Sequence, residues 1–172
     1  MKRYIALIVV LALGVGYFVS RKTFAPQTVV KEPIKIEELL KMPSGWSQVD
    51  DKDVNLKFEK KVDKGLKPQI VLKVTQSVEA SAPAKYTDRL LAGAKSAVPS
   101  LRLTGDMRNS LEKYYSAFVT ATYVNKGQKI NLIQRIYIKE NTVNTLTASY
   151  TGDLAVEINQ ILDNLVKEKI SL

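Results

Sequence analysis

The sequence predicts an α+β domain, an antiparallel sheet packed by helices, preceded by one N-terminal transmembrane helix. Three observations carry this. A run of seventeen uncharged residues, Tyr4 to Ser20, lies between Lys2-Arg3 and Arg21-Lys22. Three strand-like segments in the second half are joined by turns too short for parallel crossovers, so their sheet is antiparallel. Two amphipathic helical segments are available to cover it.

The apolar run spans roughly 25 Å as a helix, a little short of a hydrocarbon core of roughly 30 Å. Flanking Lys and Arg side chains close that gap by snorkelling. A cleaved signal peptide has the same basic start and apolar middle. However, the small-residue pairs Ala12-x-Gly14 and Gly14-x-Gly16 lie inside the run, and Pro26 directly follows the candidate site Thr23-Phe24-Ala25. An uncleaved anchor over 1–22 is therefore preferred to a signal peptide. Lys2 and Arg3 precede the span, while Arg21, Lys22, Lys31, Lys35 and Lys41 follow it, a count that favours a cytoplasmic C-terminal domain. Against it, so short a start before a folded domain is the usual layout of an exported signal-anchor protein. The expectation is a single-pass cell-membrane protein with its C-terminal domain extracytoplasmic. Residues 23–44, broken by Pro26, Pro33 and Pro43, read as a tether.

The domain, 45–172, begins with short strands at Trp46–Val49 and Val54–Lys60 and a turn at Lys64-Gly65. Pro68–Thr75 is a stronger strand with Ile70, Leu72 and Val74 on one face. Ser81 and Pro83 mark a helix start, a capping side chain followed by a first-turn proline. Tyr86, Leu90, Ala94 and Ala97 follow at helical spacing, and Pro99 closes the segment. Tyr115–Val124 is a β-branched and aromatic strand ending in the hairpin turn Asn125-Lys-Gly127, where glycine is free to take positive φ. Lys129–Lys139 returns with Ile130, Leu132, Ile136 and Ile138 on one face. Ile133 and Tyr137 point the other way, so both sides of this strand are partly covered. Glu140-Asn141 turns again into Thr142–Tyr150. Asp153 is placed to cap a last helix whose stripe is Leu154, Ile158, Ile161, Leu162 and Leu165.

Composition removes whole classes of chemistry. The 172 residues hold no Cys and no His. Disulfides, thiolate nucleophiles, lipid attachment through an N-terminal cysteine, Ser-His-Asp triads and His-ligated zinc therefore cannot be built. The net charge of +9 is uneven: up to Gly45 there are seven Lys/Arg against three acids, beyond it nineteen against fourteen. The basic stretch beside the span suits anionic head groups. The densest basic part of the domain (Lys57, Lys60, Lys61, Lys64, Lys67) reads as a solvated strand end and loop rather than a polyanion site. Nucleic acid is not expected as a partner, because basic residues are not interleaved with exposed aromatics.

Asp51-x-Asp53-x-Asn55 mimics the opening of a calcium loop, but Leu56 stands where glycine is needed and Val62 where a bidentate glutamate is needed. A polar turn is the better reading. Ser110-Leu-Glu-Lys113 spells S-x-x-K without companion motifs and just before a strand, so it too reads as a turn. Glu157 and Asp163 are assigned to the exposed side of the last helix as ordinary solvated charge. Trp46, the one tryptophan, is either core packing at the domain edge or a ligand platform. Arg135 and Tyr137 share a strand face and are either a recognition patch or cover for the sheet beneath a helix.

Gly45-Trp46, a strand ending in Phe58, Pro68-Gln-Ile-Val-Leu, a helix near Tyr86, an Asn-x-Gly hairpin, Gln134-Arg-Ile-Tyr137 and Leu146-Thr-Ala-Ser-Tyr150 before a closing helix make a pattern over roughly 45–168. It resembles the PsbP-like superfamily, which takes in PsbP, Mog-type proteins and DcrB-like bacterial envelope proteins. The resemblance implies an α/β/α sandwich with no shared active site, whose members mostly serve as binding or assembly modules. The expectation is a non-catalytic extracytoplasmic binding or assembly module of the bacterial cell envelope. It is held at the membrane, uses no cofactor, and has a protein or anionic envelope component as partner, with Trp46, Arg135 and Tyr137 as partner-binding candidates. The alternatives are a carboxylate-based enzyme acting on envelope glycans and a cation-binding accessory protein.

Overall fold

The computed structural model describes residues 28–29, 42–63 and 65–170. The expected anchor and most of the expected tether lie outside these residues. Among the described residues no helix is long and apolar enough to cross a membrane.

Among the described residues eight strands form one sheet: β1 (Thr28–Val29), β2 (Trp46–Gln48), β3 (Leu56–Lys60), β4 (Gln69–Gln76), β5 (Arg102–Ser110), β6 (Tyr115–Asn125), β7 (Gln128–Lys139) and β8 (Thr142–Tyr150). Their order across the sheet is β2-β3-β4-β8-β7-β6-β5, with β1 against β4, and every pairing is antiparallel. A 3-10 turn, Val78–Ser81, leads into helix α1 (Pro83–Ala97), and helix α2 (Ala155–Lys169) closes the chain. The expected α+β class is thus present, with strand limits within a residue or two of those read from the sequence.

One strand adds to the sequence reading, and two expected helix caps need correction. Arg102–Ser110 is a strand that the sequence gives no period for, because nearly every one of its side chains is exposed. Ser81 does not cap α1; its hydroxyl donates to the Val78 carbonyl, and Ala82 occupies the cap position without a side-chain bond. Asp153 does not cap α2, where Leu154 holds that place. The β6–β7 turn forms as expected, with φ of 48° at Lys126 and 77° at Gly127, both positive as a two-residue hairpin turn of this hand requires.

Register fixes what each face of the sheet carries. On one face, Lys57, Val71, Thr147, Gln134, Val119 and Asp106 make a row across β3, β4, β8, β7, β6 and β5. The adjoining row runs Glu59, Gln69, Ser149, Leu132, Ala121 and Leu103. This face is polar towards β3 and apolar on β7 and β6. Helix α1 covers the apolar part: Tyr86 packs with Tyr115, Ala117, Ile136, Ile138 and Val143, and Ala94 and Val98 pack against Ala121, Tyr123, Ile130 and Leu132. On the other face the row runs Leu56, Leu72, Leu146, Arg135, Phe118 and Met107. Here the apolar part lies towards β3, and α2 covers it with Ile158, Ile161, Leu162 and Leu165 against Leu56, Phe58, Ile70, Leu72, Leu146 and Ile133. The two helices are therefore offset, each over a different half of a different face.

Candidate binding surface

Because α2 sits over the β3–β4–β8 half, the β6 and β5 ends of its face continue beyond the helix. Strand alternation brings Phe118 and Met107 to this strip in one row with Arg135. Met107 is 64% exposed. The Arg135 guanidinium lies 5.6 Å from the centre of the Phe118 ring, a cation–π arrangement. In the next row Tyr137 meets Tyr114 from the β5–β6 turn, with ring centres 6.4 Å apart and planes tilted by 49°. Burial pushes the Tyr137 phenol above its usual range, and the neighbouring Arg135 charge works against that.

Arg135 also carries the edge of α2. It donates one hydrogen bond to Asp163 Oδ1 and one to Asn159 Oδ1 at 3.0 Å, and Asn159 is held in turn by donating to the Ala155 carbonyl at 2.9 Å. Of the two sequence readings of Arg135 and Tyr137, the bonds to α2 fit cover of the sheet beside a helix. Arg135 pins the helix to the sheet, and beside the helix it borders an aromatic strip that includes Tyr137.

Trp46 lies elsewhere. It is 8% exposed, inside the α2-side core, at the opposite edge of the same face from Met107. Its indole N–H donates to Glu157 Oε1 at 2.6 Å, and Lys60 Nζ donates to both Glu157 oxygens at 2.8 and 2.6 Å. Lys60 Nζ is 5.9 Å from the centre of the Trp46 ring. The Lys60 bond, reinforced by the indole, holds the Glu157 carboxyl below the usual carboxylate range. Glu157 and Asp163, read from sequence as ordinary solvated charge, are the two acids that tie α2 to the sheet. Helical spacing shows which residues form the apolar stripe, but not which flanking acids reach a cation on another element.

The remaining motifs resolve locally. Asp51 Oδ1 accepts the Asp53 backbone N–H at 3.1 Å, its Oδ2 lies 3.3 Å from Lys57 Nζ, and Asn55 Oδ1 accepts the Val74 N–H at 2.7 Å. These oxygens are turned towards the chain itself rather than towards a common centre. Among the described residues no group of three or more acids is placed to hold a metal ion. Ser110 ends β5, and the Leu111 N–H bonds the Tyr114 carbonyl at 2.9 Å to close the turn.

Two features were missed by sequence reasoning. The polar half of the α1-side face buries Gln69, Thr75, Thr147 and Ser149. Gln69 Nε2 donates to Glu59 at 3.1 Å and Gln134 Nε2 to Thr147 at 3.3 Å, while burial holds the neighbouring Lys73 ammonium below its usual range. The second is a groove of about 360 Å³ between α1 and β5, lined by Leu91, Ala92, Lys95, Leu101, Arg102 and Leu103. Phe118 was reachable from the alternation of Tyr115–Val124. Met107 was not, because its strand lacks a period.

No family model matches the chain, and no curated protein does. Solved structures share its fold. One is LpqN of Mycobacterium tuberculosis, described as involved in cell envelope biogenesis; it is 14% identical, with a TM-score of 0.61 over 88% of this chain and 92% of that one. Another is PA94 of Pseudomonas aeruginosa, a protein of unknown function; it is 16% identical, with a TM-score of 0.57 over 86% of this chain and 99% of that one. At these identities the likeness is one of fold.

Proposed function

We propose that this chain is a membrane-anchored, non-catalytic binding or assembly module of the bacterial cell envelope, and that it engages a protein partner through the Met107–Phe118–Arg135–Tyr137 strip. One observation carries the reading: the sheet runs on past α2 and presents an exposed methionine beside Phe118, Tyr114, Tyr137 and an arginine. Tyr, Phe, Met and Arg are the side chains enriched at protein–protein interfaces, and Tyr and Arg recur among the few residues that dominate binding energy. The envelope setting is supported by the Tyr4–Ser20 run, the basic stretch after it, the PsbP-like resemblance and the envelope role of LpqN. A fold alone does not assign a function, so the test is aimed at the strip.

A photo-crosslinking residue at Met107 of the full chain, expressed in its own membrane, is expected to give a discrete adduct with one envelope protein other than a second copy of this chain. The same probe at Val78, which is also well exposed, is expected to give none. Phe118→Ala should reduce the Met107 adduct at least about tenfold, the loss expected for an interface anchor worth more than 1.4 kcal/mol. Equal labelling at Met107 and Val78, with no discrete product, overturns the proposal.

A further inference from the structure

The outer side of β5 is the open end of the sheet: among the described residues no strand pairs with it. Leu103 on it is 49% exposed, and Leu111, just past its end, is 45% exposed. An edge of this kind is a template for another strand, and native proteins blunt such edges with charges or bulges. This edge has a bulge at Leu103/Gly105 and three charges, Arg102 before the bulge and Asp106 and Arg108 beyond it. Asp106 and Arg108 are of opposite sign and two residues apart, so they do not repel a copy of the same edge in every register.

We infer that two copies of this chain pair edge to edge along β5, antiparallel, with Met107 opposite Met107 of the second copy. Directly opposed residues in an antiparallel pair lie on the same face of the sheet, so a symmetric register must centre on a residue. Centring on Asp106 sets Asp106 against itself, and centring on Arg108 does the same with arginine. Centring on Met107 sets Asp106 of each copy opposite Arg108 of the other on the α1 side, and the two Met107 side chains together on the α2 side. Opposite charges placed directly across such a pair stabilise it, and like charges destabilise it. The bulge limits unbroken alternation to Gly105–Asn109, with Leu103 and Leu111 at the two ends. Arg108 is held on the α1 side of the sheet by its own copy, donating to Asp88 of α1 at 2.7 Å and to both oxygens of its own Asp106 at 2.9 and 2.7 Å, so the pairing brings these acids and arginines into one cluster. The two-fold axis stands perpendicular to the sheet, so the Met107–Phe118–Arg135 strips of both copies join on one side. This pairing goes beyond the proposed function, which stands with one copy or two.

The chain has no cysteine, so a single introduced thiol reports alone. Opposed residues have Cα atoms about 4.5–5.5 Å apart, within the range a disulfide bridges. In the full-length chain in its membrane, mild oxidation of Met107→Cys is expected to give a covalent dimer, whereas Val156→Cys, also exposed, stays monomeric. Adding Arg108→Asp to M107C should reduce the dimer at least fivefold, and adding Asp106→Arg as well should restore it. Cross-linking of M107C no greater than that of V156C overturns the inference. So does a charge swap that fails to restore the dimer while keeping the thermal midpoint of M107C.

Discussion

Glu157 collects an indole N–H from β2 and an ammonium from β3 while standing on α2, so one carboxylate joins three elements. Its ionised form accepts both hydrogen bonds, which is why its pKa falls below the ordinary value of 4.5. A group whose folded-state pKa is depressed adds stability above its unfolded pKa and loses it as pH falls through the folded value. Glu157→Gln keeps an acceptor but removes the charge, at an expected cost of about 1 kcal/mol at pH 7. Urea unfolding should show the gap between wild type and E157Q constant from about pH 8 to 5 and closing below about pH 4.5; a gap that widens in acid would contradict this account. At this scale the sequence was least legible. The burial of Trp46 agrees with the core-packing alternative, but a bond between residues 46 and 157 has no local signal in the sequence.

Helices and the central hairpins were legible because their apolar residues recur with a clear period. In α2 the stripe Ile158, Ile161, Leu162 and Leu165 is fully or almost fully buried, whereas Val156 on the same helix is 72% exposed. Leu162→Ala should cost about 2–5 kcal/mol through lost burial and a residual cavity. Val156→Ala should stay within about 0.5 kcal/mol, the usual range for a surface change. Thermal or urea unfolding checks both, and equal costs would mean that α2 is not seated on the sheet as described. Strand β5 was illegible for the complementary reason. A strand at the end of a sheet, with its side chains exposed on both faces, has no core to select alternation, and Arg102–Ser110 shows none.

The offset of the two helices governs the whole molecule. Strands β7 and β8 lie near the middle of the sheet and contribute side chains to the cores on both faces, while β5 and β2 lie at its ends. Local opening follows such differences in packing. Hydrogen exchange should therefore be slowest in β7 and β8 and fastest, among the strands, in β5 and β2; uniform protection across the sheet would count against this. The antiparallel run β6–β7–β8 was readable from turn lengths, since its two-residue connections permit nothing else. The offset was not readable, because it depends on which half of each face is apolar, and that emerges only once six strands are in register. The same offset gives the molecule a built-in optical gauge. Its one tryptophan is wedged against the first turn of α2 at Glu157, and Arg135, at the border of the open strip, grips the same helix at Asn159 and Asp163. Any occupant of the strip that shifts α2 alters the surroundings of that indole, so the emission maximum of the unlabelled protein registers an event at the other end of the same sheet face.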